Sequence, residues 1–260
     1  MGQSGKIIIF ITTHKRPKWC LNLLKELKKE SKGMNYEIHV IHDKCDSDYS
    51  KVVNYCKRNN MKYWRTKENF GKLRFWELHN LIYQLLDTMQ YDSFIQLVDD
   101  ITLVKDFTRR AIAPLKHFDV CKISFGYILN EKDYIKKTIN GIDYKELDWI
   151  DCAYAARPDL LKGFRLEKPI LDRKRFRGSG VAHAFKKSYR RKKGGDKRMW
   201  SLSCSLWEHL GWIDSVMHEK RRREAYYKKP REVGDPLRNV LAKKDIKYIQ
   251  KKVNKIMNNG

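Results

Sequence analysis

No apolar run in this chain approaches the roughly 20 residues that a membrane-spanning helix requires. The longest, residues 7–11, suits a buried strand. Residues 1–6 carry neither the apolar segment of a signal peptide nor a myristoylation pattern, because Lys6 stands where Ser or Thr is wanted. Paired cysteine spacing is missing as well. Cys20, Cys45, Cys56, Cys121, Cys152 and Cys204 are scattered, which leaves no visible zinc cluster or disulfide framework and reads as reduced thiols in a cytosolic protein. Acids are scarce: 31 Asp plus Glu face 56 Lys plus Arg, for a formal charge of +25. That exceeds what solubility needs, so a polyanionic partner is expected, nucleic acid ahead of an anionic membrane surface.

The 260 residues suffice for one substantial core, and 42% hydrophobic content places the chain among globular proteins rather than disordered polyelectrolytes. The most informative stretch is 94–103, Phe-Ile-Gln-Leu-Val-Asp-Asp-Ile-Thr-Leu. It reads as a buried strand broken at its far end by two adjacent carboxylates. Asp99 and Asp100 are hard oxygen donors suited to Mg²⁺ or Mn²⁺ bridging phosphates, in the position where an open α/β sheet binds its ligands. The alternative is that they begin a polar loop or cap a helix.

Upstream, strands are expected over 6–13, 36–42 and 62–65, with a helix carrying Trp19, Leu23, Leu24 and Leu27 after the first and further helices over 46–59 and about 73–89. Strands alternating with helices imply a mostly parallel sheet covered on both faces. Thr12, Thr13, Asp43, Asn69, Gly71, Asp99 and Asp100 all fall just past strand ends, so one cleft gathers them.

Four pieces in this order resemble the nucleotide-sugar glycosyltransferases of the GT-A fold, most nearly the large inverting family two. They are the Thr12-Thr13-His14-Lys15-Arg16-Pro17 loop, the acidic strand end His42-Asp43, the segment Asn69-Phe70-Gly71-Lys72, and Val98-Asp99-Asp100 in place of the family's Asp-any-Asp motif. The resemblance implies a Rossmann-like, mostly parallel central sheet with flanking helices, a nucleoside-diphosphate sugar donor (UDP-sugar favoured) and a divalent cation, Mn²⁺ or Mg²⁺. It assigns Thr12, Thr13 and Asp43 to the uracil nucleoside, Asp99 to the ribose and Asp100 to the metal. Arg16, Asn69, Gly71 and Lys72 belong to the same donor-binding loops. Val98 departs from the family pattern, which leaves a nucleotide other than UDP open.

The second half is read more coarsely: a helix over 101–115, a strand over 120–129, a polar insertion or hairpin over 131–145, and a strand leading into a helix around 148–161. Inverting transfer needs a general base beside the attacking hydroxyl. The family's usual acidic motif is missing, and Asp172, Asp151 and Asp148 are the substitutes. Asp172 is favoured because it precedes Arg177-Gly178-Ser179-Gly180-Val181, which reads as a helix start facing the acceptor. A late His often completes the metal shell in this fold, which makes His209 and His218 the candidates.

Arg190, Arg191, Lys192, Lys193 and Arg198, then Arg221, Arg222 and Arg223, form basic runs interleaved with Tyr189, Trp200, Tyr226 and Tyr227. This mixture suits a phosphate backbone with stacking on bases. Gly194-Gly195 points to a flexible loop for the first run, and an amphipathic helix is expected over 236–257.

The resulting organisation is a transferase domain over 1–218, with a nucleotide-sugar-binding half (1–103) and an acceptor half (104–218), followed by a basic helical C-terminal extension (219–260). The function expected is metal-dependent, inverting transfer of a sugar to a hydroxymethylated pyrimidine in DNA, as in bacteriophage enzymes working in the host cytoplasm. The rivals are transfer to a cell-surface glycan or lipid-linked acceptor, and a non-catalytic nucleic-acid-binding protein of the same fold.

Overall fold

A computed structural model describes residues 5–123, 135–147, 150, 153–169, 181–194, 199–210 and 241–258. Its first half is a run of β-α units: β1 (Ile7–Thr13), α1 (Pro17–Glu30), β2 (Tyr36–His42), α2 (Ser50–Arg58), β3 (Lys62–Arg65), α3 (Phe75–Asp87) and β4 (Ser93–Val98). β1 is buried along its whole length, between β2 and β4, and pairs parallel with both. Its alternation shows why the sheet is covered twice. Ile7, Ile9 and Ile11 pack with Leu23, Leu24 and Leu27 of α1, while Ile8 and Phe10 pack with Leu78, Ile82 and Leu86 of α3.

The second half is mixed. The elements are β5 (Ile101–Leu103), α4 (Phe107–Ile112) with a 3₁₀ turn over Ala113–Lys116, β6 (Val120–Lys122), the hairpin β7 (Lys136–Ile139) and β8 (Ile142–Leu147), β9 (Tyr154–Ala156), α5 (Pro158–Leu161), α6 (Val181–Lys193), β10 (Met199–Leu202), β11 (Trp207–His209) and α7 (Lys243–Asn258). The nine-stranded sheet runs β3-β2-β1-β4-β9-β6-β10-β8-β7, with β9 antiparallel to both neighbours. The first four strands supply the parallel half, as the alternation of elements requires.

Three expectations are corrected. The run 94–103 is two strands in two sheets, because the backbone turns at Asp99-Asp100 and β5 leaves to pair antiparallel with β11. The helix expected over 101–115 is confined to α4 and its 3₁₀ continuation; 101–103 is strand. The first part of the basic run, through Lys193, is helical rather than a flexible loop, because Val181, Ala184, Phe185, Ser188 and Tyr189 give it a buried stripe.

α7 docks on the body of the chain. Ile249 and Val253 are buried in the main core, and Arg110 of α4 makes a two-pronged ion pair with Asp245 at 2.9 and 2.8 Å. Lys252 Nζ donates to Glu26 at 2.9 Å and to the Leu103 carbonyl at 2.7 Å. Glu26 in turn accepts from the Leu103 amide at 2.9 Å and the Thr102 hydroxyl at 2.8 Å. The side of β5 that faces away from β11 is therefore satisfied by side chains. Lys252→Met leaves Glu26 and Glu30 without their shared cation, so unfolding stability is expected to fall by about 3 kcal/mol in urea titration.

His79 of α3 is fully buried, and neither ring nitrogen has a hydrogen-bond partner among the described residues. Burial lowers its pKa to about 4. The unfolded chain, with a pKa near 6.5, binds the proton first, so stability is full above that value and falls as pH drops toward 4, by about 1.4 kcal/mol per unit. His79→Leu is expected to flatten that slope by one proton in denaturation series between pH 7.5 and 5; an unchanged slope would contradict it.

Candidate functional site

The carboxyl ends of β1, β2 and β4 converge on three buried carboxylates, Asp43, Asp99 and Asp100. Each is held differently. Asp43 caps the loop after β3: its two oxygens accept from the backbone amides of Phe70 at 2.8 Å and Gly71 at 3.0 Å. Gly71 is left-handed, with φ +57°, and an added Cβ would lie 3.2 Å from Asn69 Oδ1. Asn69 and Lys72 are exposed beside this turn. Arg74 stacks on Phe70 and is paired with Glu68 and Glu77.

Asp99 is bound to the loop after β1. The Thr13 hydroxyl donates to it at 2.6 Å, and the His14 amide approaches at 3.4 Å. Having spent its proton on Asp99, Thr13 accepts from the Tyr49 hydroxyl at 2.7 Å, and Tyr49 accepts from the Arg16 amide at 3.1 Å. Burial pushes the Tyr49 phenol up, so it serves as a neutral link. Thr12 lies deeper and donates to the Leu97 carbonyl at 3.3 Å, which makes it a strand tie.

Asp100 sits between Arg16 and His209. The Arg16 guanidinium bonds its Oδ2, and His209 Nε2 meets the same oxygen at 3.0 Å. Arg16 Nη1 also lies 3.6 Å from Asp99 Oδ1. The β5–β11 pair delivers His209: it stands opposite Ile101, and the Leu210 amide donates to the Asp100 carbonyl at 2.7 Å. Burial and the Asp100 charge push the Asp99 carboxyl up, against the pull of Arg16. Burial acts likewise on Asp100, but His209 and Arg16 outweigh it and hold that carboxyl well below the usual range. Burial also disfavours charge on His209, and Asp100 more than offsets it, so the imidazole pKa is raised.

The resemblance noted in the sequence implies a divalent cation near Asp100. Asp100 Oδ2 and His209 Nε2 lie 3.0 Å apart, a carboxylate–imidazole pair of donor types acceptable to Mn²⁺. No group of three or more His, Cys, Asp or Glu among the described residues is arranged to hold a metal. The pair alone offers two donors, so an ion held there would take its remaining ligands from phosphate and water.

Of the residues expected to form a site, Thr13, Arg16, Asp43, Asp99, Asp100 and His209 come together. The base candidates Asp148, Asp151 and Asp172 lie outside the described residues, as do His218, Arg198, Arg221, Arg222 and Arg223. Tyr49 escaped the sequence reading. It stands in Asp46-Ser47-Asp48-Tyr49, which reads only as a helix start, and nothing local marks its reach to Thr13.

The basic residues of α6 lie elsewhere. Lys193 pairs with Asp119 at 3.0 Å, Lys192 donates to the Lys162 carbonyl, and Arg191 pairs with Glu167; Arg190 is exposed. Val120 is in register with Ala156 and Phe94, so Asp119 marks the amino-terminal edge of the sheet. At ~3.3 Å per residue that edge is about 17 Å from Asp99. These cations also complement the negative end of the helix dipole.

The chain matches no protein-family profile and no curated protein sequence. Solved structures do match. A crystal structure of Staphylococcus aureus TarS residues 1–349 superposes with a TM-score of 0.54 at 15% identity, over 84% of this chain and 68% of that one. The same fragment in complex with UDP-GlcNAc gives 0.52 at 15%, over 78% and 57%. This fold is GT-A. Against the longer TarS chain the TM-score is 0.54 at 14% identity, and this chain spans 41% of that length.

Gly71→Ala is expected to withdraw the loop amides from Asp43, costing about 1 kcal/mol of stability in urea titration. An unchanged unfolding midpoint would contradict the need for a left-handed residue at this turn.

Proposed function

We propose that this chain is a glycosyltransferase that uses a nucleoside-diphosphate sugar, UDP-sugar favoured. The observation that carries it is the set of three buried carboxylates at the carboxyl ends of adjacent parallel strands. Structures of similar fold hold UDP-GlcNAc or UDP, which supports the same ligand class here. In this reading Asp43 and Asp99 fix the two loops that frame the nucleoside, and residues 1–103 and 104–218 are the donor and acceptor halves. Asp100 and His209 would hold Mn²⁺ or Mg²⁺, which supplies Lewis-acid stabilisation to the departing diphosphate. Transfer is inverting: the acceptor hydroxyl attacks the anomeric carbon, the sugar–phosphate bond breaks with the electron pair leaving on the nucleoside diphosphate, and the ionised carboxylate of Asp172, Asp151 or Asp148 takes the hydroxyl proton as general base.

The acceptor in this proposal is a hydroxymethylated pyrimidine in DNA, favoured by the charge of +25. A base recessed in duplex would be flipped out, at a cost of a few kcal/mol. A second reading, transfer to a surface glycan or lipid-linked acceptor, is favoured by the α6 cations standing at the sheet edge opposite the carboxylates. There they would rest on an anionic surface while the site faces away from it.

Nucleosides digested from hydroxymethylated DNA after incubation with the protein, Mn²⁺ and UDP-sugars are expected to gain a pentose or hexose mass. UDP release without that increment would favour the second reading, and no UDP release would refute a UDP-sugar donor. Asp100→Ala is expected to lower transfer at least about 100-fold while leaving DNA affinity within twofold.

A further inference from the structure

Arg16 is placed oddly for a residue that only touches phosphate. Its guanidinium is buried, bonds Asp100 Oδ2 and lies 3.6 Å from Asp99 Oδ1. It thus stands on the oxygen that His209 also faces. Its backbone is fixed separately: the amide is held by Tyr49, Lys15 before it is left-handed at φ +59°, and Pro17 after it opens α1. A pinned backbone with a long side chain lets the guanidinium travel while its root stays in place.

Charge balance says when it would travel. Two carboxylates withdrawn from water need a cation, and Arg16 is that cation when no ligand is bound. A divalent ion entering beside Arg16 would put three positive charges on the same pair, so metal alone must compete with a hydrogen-bonded guanidinium. A nucleoside diphosphate changes both sides of that competition. Its phosphates supply ligands to the ion and a bidentate acceptor for the displaced guanidinium.

We propose that Arg16 is a resident counter-cation of the donor site, exchanged for a divalent cation on Asp100 and His209 and transferred to the diphosphate as the nucleotide binds. This rests on the nucleotide-sugar reading above. Metal and nucleotide are then coupled through one side chain, and each raises the other's affinity by the same factor. In the idle site free metal binds weakly, against Arg16.

The test is Mn²⁺ titration followed by electron paramagnetic resonance, with no nucleotide and then with saturating UDP, on the full chain and two variants. Arg16→Gln removes the competitor and is expected to bind Mn²⁺ alone about tenfold more tightly than the unaltered protein, with a smaller gain on adding UDP. Arg16→Lys keeps the charge and is expected to stay within threefold of the unaltered protein. Equal or weaker Mn²⁺ binding by a folded Arg16→Gln chain would overturn the exchange, as would Mn²⁺ binding by neither protein. Should Arg16→Gln not fold, the Arg16 Nε–H nuclear magnetic resonance signal of the unaltered chain decides. It is expected to move with Mg²⁺ plus UDP and to stay put with Mg²⁺ alone; a signal unmoved by both together overturns the exchange. The metal-alone titration does not need UDP, so failure of UDP to bind would count against the donor reading and not against Arg16 as competitor.

Discussion

Carboxylates cannot be taken out of water without partners, and this fold buries three of them at one end of one sheet. Each is satisfied by an element that sequence distance separates from it: Asp43 by the loop after β3, Asp99 by the loop after β1, Asp100 by Arg16 and by His209 on β11. The acids thereby draw three separate stretches of chain to one point. Removing any one partner leaves a buried charge exposed to the cost of desolvation, so the site and the local fold stand together.

The support extends outward through β5. That strand begins where Asp100 ends, and it is fixed on one side by β11 and on the other by Glu26, Lys252 and the docked helix α7. The result places His209 on Asp100 by rigid pairing rather than by a free loop. A segment that looks like an appendage in the sequence is part of what holds the candidate metal pair.

Legibility followed the length of the local signal. β2 and β3 were readable to the residue, β1 and α3 to within two, and α1 by the spacing of its apolar residues, because long apolar runs and helical spacing decide such elements by themselves. The clustering of Thr13, Asp43, Asp99 and Asp100 was readable from topology, since parallel strands put their carboxyl ends at one edge. The turn at Asp99-Asp100 and the β5–β11 pair were not, because three-residue strands carry no period and their partner lies about a hundred residues away. The start of the helix at Val181 was readable from the residues before it, but its continuation through Lys193 was obscured by the charge run, although the buried stripe is present in the spacing. Tyr49 was invisible because its role is a contact across the fold.

The claim on which the rest depends is that this acidic crevice takes a nucleoside diphosphate, and calorimetric titration of UDP in the presence of Mn²⁺ tests it most directly. The unaltered chain should bind one UDP saturably, and Asp43→Ala, which releases the loop at Phe70 and Gly71, should bind at least about tenfold more weakly. An unaltered chain that takes up no UDP, or an Asp43→Ala chain that binds it equally well, would contradict the account.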